Sequence, residues 1–140
     1  MYLSERQLPF TTEKAYQGFA AVEGILKVEQ ERLVLEYQVK DNFIGLLKSG
    51  TKNLVIPYHQ LSKVIYSRGL FRSQLQLLIN SMHILGEFPA SKNGLIILKI
   101  KRSFKEIAED MEAYINLRIA EERLARTERD ALNSSHESVV

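Results

Sequence analysis

Apolar and polar residues alternate through most of the first hundred positions of this 140-residue chain, and a helical period replaces the alternation after them. In residues 18–28, Ala20, Val22, Gly24, Leu26 and Val28 alternate with Phe19, Ala21, Glu23, Ile25 and Lys27, which predicts a strand. The glycine on its inner side marks a place where another backbone, or a bend, comes close. Leu33, Leu35, Tyr37 and Val39 alternate with Val34, Glu36, Gln38 and Lys40, the pattern of a half-buried antiparallel strand, and Glu29, Gln30 and Glu31 make the hairpin before it. Phe43, Ile44, Leu46 and Leu47 lead to a polar turn at 48–52 and a third strand at 54–58. Pro57 has no donor, so that strand lies at an edge or ends there. A fourth strand is predicted at 61–67, with Val64 and Tyr66 on one face. A turn at 68–72 leads to a fifth, in which Leu75, Leu77 and Ile79 alternate with Gln74, Gln76 and Leu78. The sixth is placed at 82–88 and, after a loop at 89–94, the seventh at 95–100, apolar on both sides and so covered on both. Residues 1–17, polar and interrupted by Pro9, read as an arm or short turn.

The period then changes. Phe104, Ile107, Ala108, Met111, Ile115 and Ile119 fall within one arc of a helix predicted over residues 104–131. Ser103 and Glu106 have the spacing of a capping box, with acids at 106, 109, 110 and 112 and arginines at 118, 123, 126 and 129 matching the helix dipole. A second stripe, Ala113, Leu117, Ala120 and Leu124, continued by Thr127 and Ala131, follows spacings of four and three on the opposite face. The first stripe ends at Ile119, whereas a helix of about 28 residues is ~42 Å long. The overhang and its heptad-like seam predict a helix that meets a second copy of itself, alanines allowing close approach and leucines filling the space. Asn133, Ser134 and Ser135 are expected to end the helix, leaving a disordered tail at 132–140.

Composition narrows the possibilities. One domain of this length buries roughly two-thirds of its unfolded surface without staples. With no cysteine there is no disulfide and no thiolate metal site. The first ten residues lack a signal-peptide core and no apolar run approaches a membrane span, which predicts a soluble, cytoplasmic chain. A net charge of +2 with interspersed signs gives no case for nucleic acid.

Seven alternating segments followed by one amphipathic helix resemble a bacterial pleckstrin-homology-like domain, some members of which are related to the GRAM group. The resembling residues are Gly24, Ile25 and Leu26; Ile56, Pro57 and Tyr58 with Leu61, Val64 and Tyr66; the turn Gly69, Leu70 and Phe71; and Phe88, Pro89, Gly94, Leu95, Leu98 and Ile100, within residues 18–119. The resemblance implies a mainly β fold: a seven-stranded, two-sheet barrel plugged at one end by the long C-terminal helix. It carries over no catalytic residue. Relatives that bind phosphoinositides set lysines and arginines on the first hairpin, but here that hairpin reads Lys27, Val28, Glu29, Gln30, Glu31, Arg32, and its acids repel phosphate.

Candidate chemistry is sparse. Residues 45–52 nearly spell a P-loop, but Thr51 precedes Lys52 and a strand follows, so the stretch reads as a turn. His59, His83 and His136 have no partner at a metal-ligand spacing, and no serine has an evident base. Asn133 to Ser135 formally match a glycosylation acceptor, without a secretion signal beside it. Arg68, Leu70, Phe71 and Arg72 could instead touch an anionic membrane surface. The expectation is a non-enzymatic module with no cofactor or metal that binds protein partners and forms a homo-oligomer through Ala113, Leu117, Ala120 and Leu124. The alternative is a peripheral membrane module using the basic, apolar turn.

Overall fold

A computed structural model describes residues 6–12, 20–41, 50–69, 73–85, 88 and 91–138. The fold is mainly β: an open antiparallel sheet of eight strands with one C-terminal helix. The strands are β1 (Gln7–Thr11), β2 (Ala20–Val28), β3 (Arg32–Asp41), β4 (Lys52–Pro57), β5 (Leu61–Arg68), β6 (Ser73–Ile79), β7 (Ser91–Lys92) and β8 (Leu95–Ile100), followed by α1 (Lys105–Ser138). Their order is β4-β3-β2-β1-β8-β6-β5, with β7 beside β8. Inward residues such as Leu26, Leu33, Leu35, Leu75, Leu77, Ile96, Leu98 and Ile100 are fully buried in one core, as the alternation predicts. Ala108, Met111, Ile115 and Ile119 of α1 join them, with Phe104 and Ile107 half-buried alongside.

Two expectations about individual residues hold. Pro57 is the last residue of β4, and β4 is an end of the sheet. Gly24 sits opposite Tyr37 and Phe10 in neighbouring strands, where a Cβ would run into the Glu36 carbonyl oxygen and come within 2.9 Å of the Phe10 ring.

The stretch read as an arm contains β1, which lies in the middle of the strand order. Leu8 and Phe10 are buried and Gln7 and Pro9 exposed, so this too is an alternating strand, which Pro9 disguised. The hairpin at 29–31 is consequently the second connection of the sheet. The first runs through residues 13–19, which lie outside the described residues.

Pro9 also shapes the sheet. Val28 N donates to Arg6 O and Thr12 N to Val22 O, so even-numbered residues of β1 turn their backbone groups to β2 and odd-numbered ones to β8. Thr11 pairs with Lys99, and the next pair would be Pro9 with Lys101. Proline has no N–H to give, and among the described residues the β1–β8 pairing stops at that single position.

The strand expected at 82–88 is a 3-10 turn, Met82–Leu85, with Phe88 N donating to Leu85 O. Leu85 and Phe88 are both buried. Positions 82, 85 and 88 are apolar every third residue, a spacing that suits three residues per turn and not an extended chain. Phe88 meets Tyr37 edge-on, their ring centres 4.9 Å apart. The end of the loop expected at 89–94 is a two-residue hairpin. Asn93 and Gly94 both have positive φ, the requirement of the turn type that suits a twisted β-ribbon.

At the helix start, Ser103 lies inside a 3-10 turn, Arg102–Phe104, and not at a capping position. At its end, α1 runs through Asn133, Ser134 and Ser135 to Ser138, correcting the tail expected from 132.

Among the described residues the edge of β5 has no strand beyond it, yet its backbone is partnered. Asn116 Oδ1 accepts from Val64 N at 2.9 Å while its Nδ2 donates to Val64 O at 2.8 Å. Glu112 accepts from Tyr66 N, and Arg123 donates to Ser62 O at 2.9 Å. One row of α1 side chains thus stands in for a missing strand along alternate residues of β5.

Candidate functional site

The two faces of α1 divide as their sequence stripes predict. Ala113, Leu117, Ala120 and Leu124 are all exposed, Leu117 by 56% and Leu124 by 61%, on the side turned away from the sheet. From residue 120 to 135 nothing on the helix is buried, Glu122 alone being half-buried. Ile119 to the helix end spans ~29 Å at 1.5 Å per residue, so the overhang is longer than the sequence suggested. The inner side of α1 is anchored at the second hairpin too. Arg118 donates to Gln30 O at 3.0 Å, pairs with Glu121, and lies 5.8 Å from the centre of the Tyr58 ring.

Tyr58 is buried and its hydroxyl donates to Glu29 O. Burial first, then the neighbouring Tyr114, pushes its phenol well above the usual tyrosine range, although Arg118 pulls the other way. Tyr58 ties the 3-10 turn after β4 to the hairpin that α1 touches, so its chemistry is structural.

Of the turn considered for membranes, Leu70, Phe71 and Arg72 lie outside the described residues. Arg68 pairs with Glu109 of α1 at 3.0 Å. His59 and His83 are exposed, each beside a neighbouring polar side chain, Gln60 and Ser81. The side chain of His136 and most of the near P-loop are outside the described residues. Among the described residues no cluster of three or more histidine and carboxylate side chains could hold a metal. Nor is any helix there long and apolar enough to cross a membrane.

A site missed by the sequence reading lies where β1 and β8 part. The gap opens into a cleft of about 590 Å³. One wall is Lys99 and Lys101, two residues apart on β8 and the link that follows, and Phe104 closes the end. Facing them are Pro9 and Thr11 of β1, Glu23 and Ile25 of β2, and Gln38 of β3. The Glu23 carboxylate lies 3.7 Å from Lys40 and is thereby balanced, whereas Lys101 forms no ion pair among the described residues. The signal was present in the sequence as Lys99, Lys101, Arg102 and Lys105, four cations in seven residues with no acid before Glu106. Compared with family models, with characterised proteins and with solved structures, the chain matches none.

Proposed function

We propose that this chain is a non-enzymatic binding and assembly module of pleckstrin-homology-like architecture that pairs with a second copy through the outer face of α1. The strand order supports the architectural part: β1 to β4 form one half, β5, β6 and β8 the other, the halves touch at Thr11 and Lys99, and the helix lies along the end. The observation that carries the functional part is the exposure of Leu117 and Leu124 on a helix that outlasts its own packing surface.

The energetics set the expected strength. Burying the exposed parts of four leucines, two from each copy, contributes about 4–6 kcal/mol. Lost rotational and translational freedom costs a comparable amount. Pairing is therefore weak and depends on concentration, and protein partners that present a complementary helix would compete for the same face. Light scattering after size exclusion, run up to concentrations on the order of hundreds of micromolar, tests this against Leu117→Glu, Leu124→Glu. A mass that rises toward a dimer in the intact chain and stays monomeric in the folded double variant supports the proposal. Monomers throughout would refute it.

A further inference from the structure

We propose that the cleft between β1 and β8 binds a small organic anion, one carboxylate, sulfonate or phosphate group carried on a compact apolar body. The proposal is independent of the helix face and stands if α1 never pairs.

Three features argue for it. The cleft has a cause in the covalent chain: Pro9 lacks the donor that would pair it with Lys101, so the strands part where the ladder would otherwise continue. A deficit of that kind opens a gap between strands that are well paired on their other sides, β1 to β2 and β8 to β6. The walls are therefore preformed, which spares a ligand the cost of ordering them.

The charge of the lining is net positive. Lys99 and Lys101 project from the same side of their segment, as alternate residues of an extended chain must. Lys105 follows within the next turn and adds to the field. On the facing wall the carboxylate, Glu23, is matched by Lys40. Two cations and one carboxylate line the cleft, so an anion entering it meets a net positive lining.

The remaining lining gives the body of the ligand its place. Pro9, Ile25 and Phe104 are apolar, and Thr11 and Gln38 offer a hydroxyl and an amide for orientation. A volume of about 590 Å³ lies within the range of small-molecule sites, which are mostly apolar with a few placed polar groups. Inorganic phosphate would leave most of that lining unused.

A matched pair of dyes provides the test: anilinonaphthalene sulfonate, which carries one negative charge, and phenylnaphthylamine, its uncharged counterpart. Each is titrated by fluorescence into the intact chain, into Lys99→Glu, Lys101→Glu, and into Leu117→Glu, Leu124→Glu. The expected result is saturable binding of the sulfonate that weakens with salt, falls about tenfold or more in the lysine variant, and is unchanged in the leucine variant. Lys101→Gln, a milder change at an exposed position, is expected to weaken binding severalfold and guards against misfolding of the double variant. The proposal is overturned if the sulfonate does not bind, if binding survives both lysine variants, or if the uncharged dye binds as tightly.

Discussion

Asn116 is the residue whose replacement most directly tests how α1 holds the sheet. Its side-chain amide meets both backbone groups of Val64, accepting at 2.9 Å and donating at 2.8 Å, so it does for β5 what one residue of a further strand would do. Asn116→Ala removes two hydrogen bonds worth about 1 kcal/mol each and leaves a donor and an acceptor under a helix that restricts water. The expected loss is about 2–3 kcal/mol. Asn116→Asp separates the two halves of the interaction. At neutral pH its carboxylate still accepts from Val64 N but turns a negative oxygen toward Val64 O, so it is expected to cost at least as much as alanine. Protonated, it regains a donor. Its folded pKa is therefore raised above the unfolded value of about 3.9, the stability it contributes is present below that value, and the deficit relative to the intact protein shrinks as pH falls toward it. Urea unfolding followed by far-ultraviolet circular dichroism measures all three proteins. An alanine variant within 0.5 kcal/mol of the original, or an aspartate variant with no pH-dependent recovery, would show that the helix does not act as a strand for β5.

Other substitutions probe separate contacts. Gly24→Ala forces a methyl group into the Glu36 carbonyl and the Phe10 ring and is expected to cost about 2 kcal/mol or more in urea unfolding, because a backbone neighbour cannot step aside. Gly94→Ala at φ 79° is expected to cost about 1 kcal/mol through turn strain, and no loss of stability would contradict the left-handed turn. Tyr58 has a raised folded pKa, so its contribution is complete below an unfolded value of about 10 and is lost above it, at about 1.4 kcal/mol per pH unit. Tyr58→Phe loses the bond to Glu29 O but should flatten that part of the alkaline decline, which unfolding at successive alkaline pH values would reveal. Lys27→Ala breaks an ion pair of 2.6 Å, yet with both side chains about a third exposed the cost should stay under about 1 kcal/mol and shrink in salt.

The sequence made some parts of this structure plain and concealed others for identifiable reasons. The buried stripe of α1 and the alternation in β3 and β6 were legible because each has one face in the core and one outside. Gly24 announced a close approach by being small amid large apolar residues. β1 was hidden because a proline in a strand normally signals an edge, whereas here its missing donor faces a gap inside the sheet. The segment at 82–88 is apolar enough for a strand, but its apolar residues recur every third position, as a 3-10 turn requires. The alternation predicts seven strands and seven long ones are described, but the numbers agree only because β1 replaces the segment at 82–88. The end of α1 was placed too early because Asn133, Ser134 and Ser135 favour caps, yet none of them compels the chain to turn. The exposure of Ala113, Leu117, Ala120 and Leu124 was legible in their spacing. The cleft was not, because it depends on which strands become neighbours, and Lys99 and Pro9 are ninety positions apart.

The row of helix side chains along β5 also limits how copies of this chain can aggregate. A sheet grows into a fibre by recruiting a strand at each end, so growth without limit needs two open edges per molecule. Here one edge is occupied by Asn116, Glu112 and Arg123, and among the described residues the open sides belong to β4 and to β7, which is two residues long. Joined edge to edge through β4, two copies would leave, among the described residues, the sealed edge of β5 and the two-residue β7, too short to recruit a strand, facing outward. Edge-to-edge association therefore terminates at a pair for as long as α1 stays docked, and a helix released from β5 would turn a self-limiting molecule into a polymerising one.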